Sequence, residues 1–359
     1  MEKFKWNIPI EIGGHRIKNR IVFPPINTNW AGENGEITDK IINFYRETAA
    51  GGCGMIVVSG TAVSPDAKST DRSLCLYDEK YLSGFMRLTK CIKKEDCFAA
   101  IQLMHVGGQG NPDFTGRIPL SPSGIKCMAI GIEPAVLSIY EIADIQKKFI
   151  NSAKLAYSAG FHAVELHLAH GYLLHEFLSE HTNKRNDIYG GNILNRARLV
   201  LDIIKGIRAE VPIIIIGARV SGEDFVKDGI NESINRELLP MFQDAGIGYF
   251  SVTAGIYDSS RAKHEAMSQG LFFAYAKGIK DMIDRPVMGV GKVLDLITAE
   301  DHLRKGDCDM VAIGRGLIAD PMMIKKFLNS NKINRCIECD QCRFLRHGSK
   351  YLTCSVREL

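Results

Sequence analysis

The feature that most constrains this chain is an alternation of short apolar stretches with helical patterns, repeated eight times. The apolar stretches are nearly continuous, as expected for strands that are covered on both faces. Strands that alternate with helices predict a parallel sheet. Eight such units favour a closed (β/α)8 TIM barrel, an α/β fold, over a doubly wound sheet. The predicted strands are 20–25, 54–60, 98–104, the first half of 161–172, 213–217, 249–253, 286–290 and 309–313.

The bulk properties fit one globular unit with a short extension. The chain has 359 residues, so we assign residues 1–328 to the barrel and 329–359 to a C-terminal segment. The 45 basic and 41 acidic residues nearly balance, which gives no reason to propose nucleic acid as a partner. The N-terminus lacks the apolar core of a signal peptide, and the strongest apolar run, 211–216, is too short to span a bilayer. We therefore expect a cytoplasmic protein without a membrane partner.

Polar side chains gather where the predicted strands end. In a barrel of this kind all strand C-termini lie on one face, and active sites form there. The fourth strand is followed by His167, His170 and Tyr172. Two imidazoles and a phenol can hold a polar substrate atom and supply a proton. A single histidine near a strand end is more often structural, but three such groups together weaken that interpretation, without naming a reaction.

Two loops with glycine follow the seventh and eighth strands. The first, 289–292, contains Gly291 and Lys292, and the second contains Gly314 and Arg315. In this architecture these two loops commonly hold a phosphate group through backbone N–H groups. The alternative is that the glycines only form tight turns.

Two further polar residues, Gln102 and Arg219, are predicted at the ends of the third and fifth strands. Burying an amide or a guanidinium group without a partner is unfavourable. A planar heterocycle with carbonyl groups and ring nitrogens, bound in the barrel mouth, would satisfy both side chains.

Seven short stretches, taken in order and spacing, are specific to one known family: 18–25 (KNRIVFPP), 54–62 (GMIVVSGTA), 101–105 (IQLMH), 165–174 (ELHLAHGYLL), 181–191 (HTNKRNDIYGG), 311–315 (VAIGR) and 319–321 (ADP). With them, the chain resembles the old yellow enzyme family of flavin-dependent ene-reductases (NADH:flavin oxidoreductases). The resemblance is strongest to the branch that contains 2-enoate reductase and 2,4-dienoyl-CoA reductase. It covers nearly the whole predicted barrel.

The resemblance implies a non-covalently bound FMN across the barrel mouth. By position, the residues around its isoalloxazine ring would be Pro24, Pro25, Ile26, Gly60, Gln102 and Arg219. The residues that hold its phosphate would be Gly291, Lys292, Gly314 and Arg315. Ile26 departs from the family pattern, because some members carry a cysteine there that tunes the flavin potential.

The resemblance also implies an α,β-unsaturated carbonyl substrate, such as a 2-enoate, an enoyl-CoA or a steroid-like compound. His167 and His170 would polarise the carbonyl oxygen, hydride would pass from the flavin N5 to the β-carbon, and Tyr172 would protonate the α-carbon. Hydrogen bonds to the oxygen would stabilise the enolate-like charge that develops there. The alternative is an amine dehydrogenase of the trimethylamine dehydrogenase type, although an ammonium group would call for aromatic or acidic contacts.

Four of the ten cysteines lie close to the C-terminus. Cys336, Cys339, Cys342 and Cys354 have the spacing C-x2-C-x2-C-x11-C. That spacing alone is compatible with a structural zinc ion or with a [4Fe–4S] cluster. Multidomain relatives in the family, including trimethylamine dehydrogenase, place four cysteines with similar spacing just after the barrel to hold a [4Fe–4S] cluster. The resemblance therefore favours the cluster, with zinc as the alternative.

The electron supply is the last expectation from the sequence. In those relatives the chain continues into FAD- and NAD(P)H-binding domains, whereas no G-x-G-x-x-G motif follows a strand in this sequence. We expect the sequence to represent the barrel and cluster half alone. Electrons would then come from a separate donor protein or directly from NAD(P)H. The sequence leaves the oligomeric state open, a homo-oligomer included.

Overall fold

Eight parallel strands close into a barrel, which confirms the predicted fold class. The structure is a computed structural model that describes residues 4–259, 270–344 and 348–359. In chain order the strands are β1 (Ile10–Ile12), β2 (His15–Ile17), β3 (Ile21–Phe23), β4 (Met55–Ala62), β5 (Phe98–Met104), β6 (Leu120–Ser121), β7 (Ala135–Val136), β8 (Ala163–Leu168), β9 (Ile215–Ser221), β10 (Ile247–Thr253), β11 (Val287–Gly289) and β12 (Met310–Ala312). The barrel contains β3 to β5 and β8 to β12, and β12 pairs with β3 to complete the ring.

Helices alternate with the barrel strands, as the repeated pattern predicts. They are α1 (Asp39–Ala50), α2 (Leu82–Lys94), α3 (Pro112–Thr115), α4 (Ile139–Ser158), α5 (Leu173–Leu178), α6 (Ile193–Glu210), α7 (Glu232–Ala245), α8 (Leu271–Lys280), α9 (Leu296–Lys305), α10 (Arg315–Ala319) and α11 (Met323–Leu328). Ser138 and Glu141 form a capping box at the start of α4. No helix in the described ranges combines the length and the apolar character needed to cross a membrane.

A hairpin of β1 and β2 closes the barrel at the end opposite the strand C-termini. Ile12 and Ile17 are each 1% exposed and belong to one buried cluster inside the barrel. The same cluster contains the first residue of five barrel strands, namely Met55, Phe98, Ala163, Ile215 and Met310. Apolar side chains therefore seal the barrel interior at this end.

Gly217 and Tyr249 face each other inside the barrel, on the paired strands β9 and β10. A Cβ atom added at Gly217 would overlap the buried ring of Tyr249. We therefore expect Gly217→Ala to lower the free energy of unfolding by about 1–3 kcal/mol, the usual effect of overpacking. Urea unfolding followed by circular dichroism measures this change.

Gly278→Ala is the matched control for that substitution. Gly278 lies within α8, and no atom would come within 4 Å of an added Cβ. This variant should be neutral or more stable by up to about 1 kcal/mol, because alanine favours the helix. An equal loss of stability in both variants would argue against the steric explanation.

The residues after α11 pack against the barrel mouth without forming a further α-helix or strand in their described part. Leu352 is buried, and its N–H donates to the carbonyl oxygen of Thr28 (3.0 Å). Asn29 Nδ2 donates to the carbonyl oxygen of Lys350 (2.6 Å). These contacts place the C-terminal segment beside the loop that follows β3, on the face with the strand C-termini.

Candidate active site

One pocket at the C-terminal end of the barrel strands collects the predicted catalytic residues and four of the six predicted ring-binding residues. Its volume is about 220 Å³. All three predicted catalytic residues line it, together with Pro25, Gly60, Gln102 and Arg219 from the predicted flavin set. The other described residues that line it are Asn27, Ser69, Thr70, Met104, Tyr257 and Phe344.

The histidine near the end of β8, His167, contacts His170, which follows the strand. His167 Nε2 lies 3.2 Å from His170 Nδ1, and His170 Nε2 lies 2.9 Å from Thr253 Oγ1. His170 has a φ of 63°, a left-handed backbone that few residues other than glycine adopt. Gln109 Nε2 donates to the carbonyl oxygen of His170 (2.8 Å) and so holds this turn. The turn brings both imidazoles to the same pocket.

His167 is held in its neutral form. Burial lowers the pKa of His167 well below its usual value, and the neighbouring charges of His170 and Arg219 lower it further. Its Nδ1 atom is buried and has no hydrogen-bond partner among the described residues. In the tautomer in which Nε2 accepts from His170, Nδ1 carries the proton and can donate to a ligand.

Tyr172 completes the group. Its ring contacts the His167 ring edge to face, with centroids 4.8 Å apart, and its Oη lies 2.8 Å from Tyr257 Oη. Burial raises the pKa of Tyr172 well above its usual value, and the neighbouring Tyr257 raises it further. The phenol therefore carries its proton at neutral pH.

A buried carboxylate that sequence reasoning missed lies between Gln102 and Arg219. Glu165, on β8, is fully buried and accepts a hydrogen bond from Gln102 Nε2 (2.8 Å). Burial raises the pKa of Glu165, while the charge of Arg219 lowers it. Gln102 thus has a protein partner, whereas Arg219 Nε has none in the described part of the chain.

The unsatisfied atoms at this pocket fit a planar, polar ligand. Both His167 and Arg219 line the pocket, and each has a buried nitrogen without a partner among the described residues. At Gly60 an added Cβ would crowd Met104 Sδ and lie 3.3 Å from Gln102 Oε1, so glycine keeps this wall open. The residues present are therefore compatible with the isoalloxazine ring expected here.

Comparison with known proteins decides the family. A profile of the NADH:flavin oxidoreductase / NADH oxidase family matches residues 6–333. The chain belongs to this family. Its membership confirms the family and the FMN-dependent oxidoreductase class expected from the motifs.

Three proteins show how similar this chain is to known flavin oxidoreductases and their structural neighbours. An NADH oxidase of Thermoanaerobacter brockii is 38% identical over 339 residues, which cover 92% of this chain and 52% of that protein. A 2-naphthoyl-CoA reductase complex superposes with a TM-score of 0.92 at 28% identity, over 99% of this chain and 57% of that chain. Histamine dehydrogenase from Rhizobium sp. 4-9 superposes with a TM-score of 0.88 at 26% identity, over 99% of this chain and 52% of that chain. The chain spans about half the length of these relatives.

The predicted phosphate loops of this family member follow β11 and β12, as expected from the sequence. Gly291 has a φ of 135° and Lys292 a φ of 53°. An added Cβ at Gly314 would lie 3.3 Å from Ile26 Cδ1 and 3.5 Å from Pro24 Cγ. Gly314 therefore packs against the predicted ring-binding segment, while the phosphate role of these loops stays a prediction.

Arg315, the fourth predicted phosphate ligand, also contacts the C-terminal segment. Its Nη1 lies 3.2 Å from Asp340 Oδ1 and 3.7 Å from Glu338 Oε2. Asp340 lies between two of the predicted metal ligands in sequence, so one guanidinium group links the second glycine loop to the cysteine segment.

The four C-terminal cysteines share one neighbourhood as free thiols. Cys339 Sγ lies 3.2 Å from the hydroxyl of Ser355, which adjoins Cys354. Burial raises the pKa of Cys336 and Cys342, and each is also raised by another cysteine of the set. Within residues 4–259, 270–344 and 348–359, no three or more His, Cys, Asp or Glu side chains adopt a metal-holding arrangement. The four thiols lie in one segment, and their role as ligands of a [4Fe–4S] cluster or of zinc stays a prediction.

Several pocket residues were missed by sequence reasoning. Asn27 Nδ2 donates to Thr70 Oγ1 (2.9 Å), which ties together the loops after β3 and β4. Asn27 follows the Pro24–Ile26 motif closely, so its position was a usable signal. Phe344, in the cysteine segment, gave no signal, because nothing in the sequence indicates that this segment folds back to the barrel mouth.

Proposed function

We propose that this chain is the FMN-binding barrel of an ene-reductase, which reduces the C=C bond of an α,β-unsaturated carbonyl compound. The observation that carries the proposal is the grouping of His167 and Tyr172 in one pocket, with the buried Nδ1 of His167 lacking a partner among the described residues. An N–H donor and a protonated phenol are what an enolate-like transition state requires. The likeness to 2-naphthoyl-CoA reductase favours an enoyl-CoA among the expected substrates.

In the proposed reaction, the histidine pair acts on the carbonyl oxygen through His167, and His170 fixes the tautomer of His167. With His170 Nε2 accepting from Thr253, His170 Nδ1 donates to His167 Nε2, and His167 Nδ1–H is left to donate to the oxygen. A neutral imidazole suits this role, because it stabilises negative charge on the oxygen without giving up its proton. Removing one such donor commonly slows a reaction by about 10²–10³.

Tyr172 is the proposed general acid. Its O–H bond breaks as a C–H bond forms at the substrate α-carbon. The raised pKa of Tyr172 keeps the proton in place until negative charge reaches the substrate. Its ring is oriented by contact with His167, so the group that binds oxygen and the group that delivers the proton share one wall of the pocket.

Two cofactors belong to the proposal. FMN, held by the predicted ring and phosphate residues, supplies when bound the hydride that adds to the substrate β-carbon. Cys336, Cys339, Cys342 and Cys354 hold a [4Fe–4S] cluster. NAD(P)H or a separate electron-donor protein supplies the electrons.

Anaerobic purification followed by half-reaction kinetics tests this function. We expect flavin absorbance that NADH, NADPH or dithionite bleaches and that 2-cyclohexenone or crotonyl-CoA restores, with formation of the saturated product. A protein without flavin would contradict the proposal. So would a reduced flavin that no unsaturated carbonyl compound reoxidises.

Amine dehydrogenation is the second candidate. The rings of Tyr172, Tyr257 and Phe344 line the pocket, and aromatic rings can contact an ammonium group. The likeness to histamine dehydrogenase points the same way. None of the described lining residues is Asp or Glu, however, which makes the pocket less suited to a cation. Anaerobic mixing of the oxidised protein with histamine separates the candidates, because histamine would bleach the flavin absorbance only of an amine dehydrogenase.

A further inference from the structure

The hydrogen bond between Tyr172 and Tyr257 is not explained by carbonyl binding or by a single proton donor. The two phenol oxygens are 2.8 Å apart, and the rings meet edge to face with centroids 5.9 Å apart. Tyr257 lines the pocket and keeps 38% of its surface exposed. It therefore touches both the half-buried Tyr172 and the solvent side of the pocket.

The backbone around Tyr257 is anchored on both sides. The preceding residue, Ile256, forms a bridge with His170, the residue whose turn carries the histidine pair. The following residue, Asp258, accepts hydrogen bonds from Ala129 N (2.9 Å) and Cys127 Sγ (3.3 Å), both in the long loop before α4. These contacts fix the second phenol relative to the first.

We propose that Tyr257 is a positioning residue that returns a proton to Tyr172 during turnover. The inference rests on the proposed ene-reductase function. As the Tyr172 proton moves to the substrate α-carbon, the Tyr257 proton moves to Tyr172 Oη, and Tyr257 regains a proton from solvent water. One C–H bond forms, the O–H bond of each tyrosine breaks and re-forms in turn, and one water proton is consumed. No oxidant or reductant beyond the hydride of the main reaction is required.

The electrostatics favour transfer in this direction. Burial raises the pKa of both tyrosines, but the shared hydrogen bond raises the pKa of Tyr172 and lowers that of Tyr257. Tyr257 is therefore the better donor of the pair. Without it, protonating the substrate would leave a phenolate at Tyr172 in surroundings that disfavour the charge.

The first test needs no substitution. Flavin reoxidation by 2-cyclohexenone is measured in mixtures of H₂O and D₂O under single-turnover conditions. If two protons move in one step, a plot of the reoxidation rate against the deuterium fraction of the solvent should be curved. A straight line, the sign of one moving proton, would overturn the relay.

Tyr257→Phe supplies the second test. We expect reoxidation by the enone to slow by about tenfold, less than for the direct acid, and the isotope plot to become linear. Reoxidation by ferricyanide, which takes up no proton, should be unchanged. Tyr157→Phe is the control, because Tyr157 is similarly exposed (43%) and does not line the pocket.

The outcomes separate this inference from the proposed function. If enones fail to reoxidise the wild-type protein, the ene-reductase proposal fails. If they reoxidise it and the wild-type plot is linear, or if Tyr257→Phe keeps a curved plot, only the relay fails. A slower rate with the curve retained would mean that Tyr257 merely packs against Tyr172.

Discussion

Tyr172→Phe is expected to slow reduction of an α,β-unsaturated carbonyl compound by about 10²–10⁴, the usual contribution of a positioned general acid. The variant keeps the ring that packs against His167 and removes only the oxygen that bonds to Tyr257. Stopped-flow spectroscopy separates the two half-reactions. Reduction of the flavin by dithionite or NAD(P)H should proceed as in the wild type, while reoxidation by 2-cyclohexenone should be slow.

Loss of stability in Tyr172→Phe would not produce slow reoxidation alone. Losing the hydrogen bond to Tyr257 should change the free energy of unfolding by only about 1 kcal/mol. Tyr275→Phe is a suitable control, because Tyr275 is also partly buried and does not line the pocket. If Tyr172→Phe reoxidises with the enone as fast as this control, Tyr172 is not the acid.

The barrel was predictable because its signal repeats. Each apolar stretch is short and is followed by a helical pattern, and some of the helices begin at a clear cap, as α4 does at Ser138 and Glu141. The eight strands then constrain one another, since a closed ring lets each of them pair on both sides and be covered on both faces. The terminal hairpin was missed because β1 and β2 have three residues each, with Glu11, His15 and Arg16 breaking the apolar pattern.

The candidate site was predictable where polar residues lie at the C-terminal end of a strand, as His167 and Arg219 do. Residues that reach the site only through tertiary contacts could not be predicted from the sequence. Glu165 was read as part of a motif, and only the register of β5 against β8, which pairs it with Gln102, reveals its contact. Tyr257 and Phe344 reach the pocket from a loop and from the cysteine segment, and neither carries a local pattern that indicates a partner.

Cys336→Ser is expected to abolish cluster binding. A [4Fe–4S] cluster is held by four thiolates, so losing one should reduce iron in anaerobically purified protein from about four atoms per chain to below one. The broad visible absorbance that dithionite bleaches should disappear with it. Flavin should remain bound, because the predicted ring-binding residues lie in the barrel. Metal analysis together with the flavin spectrum measures both effects.

Cys91→Ser is the matched control, because Cys91 is also partly buried but lies on α2, outside the cysteine segment. It should keep full iron content. Zinc in the wild-type protein, or iron that Cys336→Ser leaves unchanged, would contradict the cluster.

Cys336→Ser should also weaken substrate binding in the pocket. Phe344 lines that pocket, and it lies two residues after Cys342 in a segment whose described part forms no helix or strand beyond α11. A metal centre that closes such a segment contributes directly to its order. Losing it should loosen Phe344 and raise the Kd for the enone by about two- to tenfold, the equivalent of one aromatic contact. If Phe344→Ala raises the Kd by the same factor, and the double variant has no higher Kd than Cys336→Ser alone, the two substitutions act through the same contact.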